Sequence, residues 1–284
     1  MKCAWDSYIN LLPPHMRSKI DSLGKENMEE LRLRTGYPPE LILKQKSHWL
    51  DSCVTDDEIS FCINAACRYS PWTAATAANG YITASGGHRI GICGEAVVMD
   101  GKMNGFSRPT SLCIRVARDF DGIAKDAAQI PGSVLIIGRP GSGKTTFLRD
   151  LIRQISNTGP GSVSVVDERG EIFPSARGVP CFKQGRRTDV LLGCSKPHGI
   201  ETVLRTMSPE TIAVDEITAS HDCDALLHAC WCGVRMLATA HASSLLDLRS
   251  RKVYEPLVKC GVFETVIILR PDKTWRMERM HYDY

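Results

Sequence analysis

Short apolar runs of strand length mark the second half of the chain: "SVLIIG", "SVSVVD", "TIAVD" and "RMLATA". Between them lie "TTFLRDLIRQIS", "GIETVLRTM" and "HDCDALLHACWC", whose apolar residues recur at helical spacing. Strand followed by helix followed by strand predicts a mainly parallel sheet with helices on both faces. Near the end, "ETVIILR" and "TWRMERM" read as two further strands around a Pro271-Asp272 turn.

The first half has a different rhythm. A helix is expected after Pro13-Pro14. In "MEELRLRT", Leu31 and Leu33 face one way while Glu30, Arg32 and Arg34 face the other, the alternation of a half-buried strand. Thr55 and Glu58 form a capping box, followed by Ile59, Cys62, Ile63 and Ala66 at helical spacing. From Tyr81 to Ala117 short strands are expected between the turns "SGGHR" and "MDGKM", where Gly86-Gly87 and Asp100-Gly101 suit positive φ. The expected organisation is an α/β chain: a smaller N-terminal α+β domain over 1–120, a nucleotide-binding core over 121–284, and a link in Asp119 to Gly132. No internal repeat interrupts it.

Composition narrows the partners more than the fold. A chain of 284 residues with 43% hydrophobic and 24% charged residues has room for about two ordinary domains. A net charge of +3 and an aromatic share of 7% argue against a nucleic-acid groove or stacking platform. No apolar run reaches bilayer length, and "MKCAWDSYINLLPPHMRSKI" has no continuous apolar signal core, so a cytoplasmic chain without its own transmembrane segment is expected. The 12 cysteines include no C-x-x-C pair. The densest group, His221, Cys223, His228, Cys230 and Cys232, has spacings that fit no common zinc pattern; Cys223, Leu226, Leu227 and Cys230 instead share one helix face.

Candidate chemistry gathers where apolar strands end. Gly138-Arg139-Pro140-Gly141-Ser142-Gly143-Lys144-Thr145 matches G-x-x-x-x-G-K-[ST] in full, between an apolar strand and a helix that continues with Thr146. Backbone N–H groups of such a loop cradle phosphates, and the helix N-terminus adds positive potential. The expected ligands are ATP and Mg²⁺, with Lys144 on the β- and γ-phosphates and the Thr145 hydroxyl on the metal. "ETIAVDEI" supplies the second metal carboxylate, Asp215, and beside it Glu216 to polarise an attacking water. That glutamate favours hydrolysis over phosphoryl transfer to a substrate hydroxyl. "SVSVVDERGEI" ends in Asp167, Glu168 and Glu171; Glu168 is expected near the γ-phosphate. "LATAHASS" places Thr239 and His241 at a fourth strand end, where they could sense that phosphate or couple it to a neighbouring subunit. Hydrolysis also wants an extra cation for the transferring phosphoryl group. The candidates are Arg89, Arg108, Arg115, Arg186 and Arg187.

Taken in this order, the four motifs resemble the ATPases of type II and type IV secretion systems, and "EELRLRTGYP" is similar to a strand and turn of their N-terminal domains. A narrower resemblance covers nearly the whole chain. "GGHRIGICGEAV", "SLCIRVAR", "VVDERGEIFPS", "RRTDVLLGCSKPHGIETVLRTMSPETIAVDEI" and "ATAHASS" resemble the stage III sporulation protein AA family of endospore-forming bacteria. Gly170 stands where that family's tract usually has serine. The resemblance implies a RecA-like P-loop NTPase core and a homo-hexameric ring with nucleotide between subunits. It also implies a motor at the inner face of the mother-cell membrane, working with membrane proteins of a channel to the forespore. By the same resemblance Arg108 and Arg115 are the preferred cations reaching a neighbour's site, with Arg186-Arg187 as a second pair. Two alternatives remain at this point: a nucleic-acid motor on the same core, and a shape switch that binds ATP with little turnover.

Overall fold

A computed structural model describes residues 2–44, 46–67, 77–78, 80–176 and 179–280. Their contacts divide the chain into two compact units, Met1–Asp119 with Pro174–Phe182, and Phe120–Phe173 with Lys183–Tyr284.

The first unit begins with α1 (Trp5–Ile9) and α2 (Pro14–Ser22), the latter opened by a proline in its first turn, where the missing N–H costs nothing. β1 (Met28–Arg34), β2 (Glu40–Leu43) and β3 (Lys46–Trp49) follow, then α3 (Asp56–Cys67). The expected capping box is present: the Thr55 N–H donates to Glu58 Oε2 at 2.7 Å, and the Glu58 N–H donates to Thr55 Oγ1 at 3.3 Å. β4 (Tyr81–Thr83), β5 (Arg89–Met99) and β6 (Lys102–Arg115) complete an antiparallel sheet of order β3-β2-β1-β6-β5-β4. Leu31 and Leu33 are fully buried, as their alternation implies. β5 and β6 are longer than the short strands expected, and the glycines explain the difference. A Cβ on Gly94 would sit 2.1 Å from the Arg108 carbonyl oxygen, so glycine here permits a close strand crossing. Bulges next to it let one long hairpin continue through residues that read as breaks. The tip is the expected Asp100-Gly101 turn, both at positive φ. A two-stranded ribbon, β9 (Ser175–Ala176) with β10 (Val179–Pro180), belongs to this unit although it follows Phe120–Phe173 of the other unit in the chain.

The second unit alternates as its apolar runs predict. β7 (Val134–Gly138), α4 (Lys144–Thr158), β8 (Val163–Asp167), β11 (Thr188–Leu192), α5 (Lys196–Met207), β12 (Thr211–Val214), α6 (Ser220–Trp231) and β13 (Arg235–Ala240) succeed one another. Then come α7 (Leu245–Ser250), α8 (Glu255–Lys259), β14 (Thr265–Leu269) and β15 (Trp275–Arg279). The sheet order is β11-β8-β12-β13-β7-β14-β15, parallel except for β15. β7, β8, β12 and β14 are buried along their whole length, which requires cover on both faces. α4 packs on β7, β8, β11 and β13, while α5, α6 and α8 join the core built from Leu135, Ile137, Val166 and Val214 on the other face. Cys223, Leu226 and Leu227 are buried in that core with Cys230 packed against it. β11 is an addition to the sequence reading: its run "TDVLL" is short and half-exposed at the sheet edge.

Candidate active site

Strand order decides which side chains meet. β13 lies between β7 and β12, so the tip of β13 separates the glycine loop after β7 from the acidic pair after β12. Thr239 and His241, at that tip, touch both neighbours.

The loop from Gly138 to Gly143 turns tightly into α4. Gly141 and Gly143 adopt φ of 74° and 97°, backbone that favours glycine. A Cβ on Gly138 would fall 2.9 Å from the Leu269 carbonyl oxygen, so this residue must also be glycine. The first-turn N–H groups of α4, including those of Lys144, Thr145 and Thr146, have no intrahelical partner by helix geometry and face an anion-ready end. Arg139 and Pro140 are exposed on the outer bend, and Thr146 is half-buried.

Lys144 is buried, yet no carboxylate lies within ion-pair distance among the described residues. Its Nζ donates to the carbonyl oxygens of Gly138 at 3.0 Å and Arg139 at 3.2 Å, and stands 3.1 Å from His241 Nδ1. Burial lowers its pKa, with Asp215 and Glu216 pulling the other way. The Ser142 hydroxyl beside it is buried without a partner. A buried cation and an orphaned hydroxyl within a curled N–H-rich loop fit a phosphate group.

Next to it, Thr145 Oγ1 donates to Asp215 Oδ2 at 2.7 Å, and the Thr239 hydroxyl donates to Asp215 Oδ1. Thr239 Oγ1 in turn accepts the Glu216 N–H at 2.8 Å. A hydroxyl and a carboxylate oxygen at hydrogen-bond distance are hard oxygen donors of the kind Mg²⁺ takes.

Glu216 has φ 53°, strained for a residue with a side chain and held there by Thr239. His241 Nε2 stands 2.8 Å from Glu216 Oε1, and Arg169 donates to Glu216 Oε2 at 3.3 Å. Burial alone would raise the Glu216 carboxyl; the His241 bond, with Arg169 and Lys144 nearby, holds it below the usual range. The imidazole therefore bridges Lys144 to Glu216.

Glu168 opens onto the same cleft as Asp215 and Glu216, where Lys196, the first residue of α5, donates to its Oε2 at 2.7 Å. Asp167 turns inward and accepts the N–H groups of Glu171, Ile172 and Phe173 at 2.9, 3.0 and 2.8 Å. Burial pushes it up to about 7, against the pull of those donors. It shapes the loop, while Glu168 faces the cleft.

The candidate cations are dispersed. Arg108 pairs with Asp56 at 2.7 Å and Arg115 with Glu30 at 2.9 Å, both within the first unit. Arg89 lies 5.2 Å from the centre of the Tyr81 ring. Arg187 donates to the Gly159 carbonyl at 2.6 Å, and the Arg186 N–H to Asn157 Oδ1 at 3.0 Å. Three cations at the strand tips escaped the sequence reading: Arg169, Lys196 and Lys273, the last donating to the Gly141 carbonyl at 2.5 Å. Arg169 follows Glu168 directly, and that adjacency was the available signal. Lys196 and Lys273 arrive from helices and turns whose path no local pattern reveals.

A family model described as "Sporulation stage III, protein AA" matches residues 8–283. Stage III sporulation protein AA of Bacillus subtilis (strain 168) is 36% identical over 273 residues, spanning 91% of this chain and 89% of that one. Among solved structures, the Legionella pneumophila ATPase DotB superposes with a TM-score of 0.60 at 17% identity, covering 94% of this chain and 80% of its own. The pilus retraction motor PilT with bound ADP does so with a TM-score of 0.59 at 14% identity, covering 90% and 77%. These likenesses establish the fold: a mixed α/β chain like those ATPases, with an N-terminal antiparallel sheet and a core sheet that is parallel save for one edge strand.

Proposed function

The chain belongs to the family described as "Sporulation stage III, protein AA", and from that premise we propose that it hydrolyses ATP to ADP and phosphate as the motor of a mother cell–forespore channel. The observation that carries the chemistry is Lys144, a buried ammonium whose only partners among the described residues are two carbonyl oxygens and an imidazole. A charge so placed costs free energy unless an anion arrives. The β- and γ-phosphates of ATP supply that anion, and the loop N–H groups and Ser142 complete their cradle.

Thr145 and Asp215 would hold Mg²⁺, which when bound neutralises phosphate charge. The protein's own residues do the rest. The ionised Glu216, oriented by His241, accepts a proton from water. The water oxygen forms its bond to the γ-phosphorus, and the β,γ-bridging bond breaks with its electron pair leaving on ADP. Thr239 ties Asp215 to the backbone of Glu216, so the metal carboxylate and the base move together. Glu168, anchored by Lys196, lies on the γ side of the cleft. Arg108 and Arg115 serve the site of a neighbouring copy in a homo-hexameric ring, where the triphosphate bound to that copy takes the place of Asp56 or Glu30 as the anionic partner. A motor on this plan acts at the inner face of the mother-cell membrane through membrane partners, since no described helix is long and apolar enough to cross a bilayer.

Phosphate release is the test. Lys144→Ala abolishes it together with ATP binding. Glu216→Gln keeps ATP binding and loses about 10²–10⁴-fold in turnover, the usual contribution of a general base. Unchanged turnover in Glu216→Gln would remove that residue from the role, and unchanged ATP affinity in Lys144→Ala would move the nucleotide elsewhere.

A further inference from the structure

Glu216 has neither carboxylate oxygen free. His241 holds Oε1 and Arg169 holds Oε2. Each oxygen keeps further lone-pair capacity, but a base with both oxygens engaged is better placed to take a proton from water once one partner has left. His241 is fixed from two sides, because its second nitrogen meets Lys144. Arg169 is not. Its side chain is 52% exposed, and an exposed ion pair of this kind is weak enough for a stronger anion to displace.

The backbone around Arg169 suits such a move. It lies in a three-residue arc, Glu168-Arg169-Gly170, between two fixed points. Before it is the buried end of β8; after it, Asp167 clamps three successive N–H groups. Gly170 has φ 64° with open space around the position its Cβ would take. Glu168 is anchored by Lys196, so the arc pivots with one side chain held and its neighbour releasable. Arg169, Glu216 and Glu168 line one cleft.

We propose that Arg169 is the cation this chain supplies to its own γ-phosphate. It rests on the general base until ATP binds, then transfers to the γ-phosphoryl oxygens. This rests on the hydrolysis reading above and adds to it a charge supplied by the same chain. The guanidinium fork matches phosphate oxygens better than a single carboxylate oxygen at 3.3 Å. Its departure opens Glu216 Oε2 to the attacking water, which gives its proton there while its oxygen bonds to the γ-phosphorus and the bridging bond breaks toward ADP. Nucleotide binding thus arms the base and stabilises the phosphoryl group in one movement, and water is not activated at a site without ATP.

Full-length wild type, Arg169→Ala and Arg169→Lys are compared in three ways: kcat and KM for ATP, affinity for ADP, and retention of the transition-state mimic ADP–aluminium fluoride with Mg²⁺. Arg169→Ala is expected to lose about 100-fold in kcat, the scale of one deleted transition-state donor. It also fails to retain the mimic while binding ADP within about 3-fold of wild type, a shift well below the tenfold that one such contact is worth. Arg169→Lys recovers part of both losses, because it keeps the charge without the fork. Equal or faster turnover in Arg169→Ala, or undiminished retention of the mimic, overturns the assignment. So does a parallel loss of ADP affinity, which would make Arg169 a support of the empty site. Wild type without turnover removes the hydrolysis reading and this inference together; active wild type with an unaffected Arg169→Ala removes this inference alone.

Discussion

Arg108, midway along β6, and Lys144, at the start of α4, are both cations, and the two units treat them in opposite ways. In the first unit Arg108 meets Asp56, Arg115 meets Glu30, Arg34 meets Glu40 at 2.8 Å, and the buried His88 has both ring nitrogens bonded. These groups satisfy one another, although the buried Tyr8 hydroxyl of the same unit has no hydrogen-bond partner among the described residues. At the strand tips of the second unit, among the described residues, the buried Lys144 has no carboxylate partner, the Ser142 hydroxyl has no partner, and Glu216 sits in strained backbone. A protein tolerates such cost where a ligand relieves it. The contrast separates residues that keep a unit folded from residues that wait for something.

His88 gives the larger way to break that contrast. Its Nε2 stands 2.9 Å from the Ala4 carbonyl oxygen, and the Ala117 N–H donates to Nδ1 at 3.0 Å. Burial pushes the ring down to about 4 from 6.5. The folded state thus prefers the neutral ring, and the unfolded chain takes up the proton first. Stability is full above pH 6.5 and falls as pH drops toward 4, by about 3 kcal/mol in total. Hydrogen exchange of β5 and β6 read across that window should show this slope, and a His88→Gln chain should lack it. A first unit indifferent to pH from 6.5 to 4 would deny the ring its closed, buried role.

The arginine pairs sharpen the comparison at smaller scale. Both guanidinium groups are well exposed, so Arg108→Ala or Arg115→Ala should cost the first unit less than about 1 kcal/mol in denaturant unfolding. If either arginine also serves another copy's site, that variant loses turnover at least about 10-fold, the scale of about 1.4 kcal/mol in the barrier, while it stays folded. Full turnover in both variants would return the two residues to a purely local role and leave Arg169 as the site's arginine.

The sequence made the tips legible because a buried parallel strand must be apolar and then stop, and the residue that follows is chemistry. Asp215, Glu216, His241 and the glycine loop all stand out on that ground. Strand order does not show in a linear pattern. That β13 separates β7 from β12 is a tertiary fact, and the Lys144–His241–Glu216 line and the double role of Thr239 follow from it alone. β3 and β11 are edge strands and carry little burial pattern, "KSHW" being exposed throughout, while the interior strand β2 is only four residues long. The long β5–β6 hairpin was read as pieces because glycine marks both a turn and a close strand crossing. Arg169 stands in a tract whose sequence signal is carried by its carboxylates, Asp167, Glu168 and Glu171.

The central claim is that the Lys144 ammonium is kept for the phosphates of a nucleotide. A crystal structure of the full chain with Mg²⁺ and a non-hydrolysable ATP analogue tests it most directly. The account predicts Lys144 Nζ drawn off the Gly138 and Arg139 carbonyls onto the β- and γ-phosphates, with Thr145 and Asp215 at the metal. An analogue bound elsewhere, with Nζ still on those two carbonyl oxygens, would contradict it.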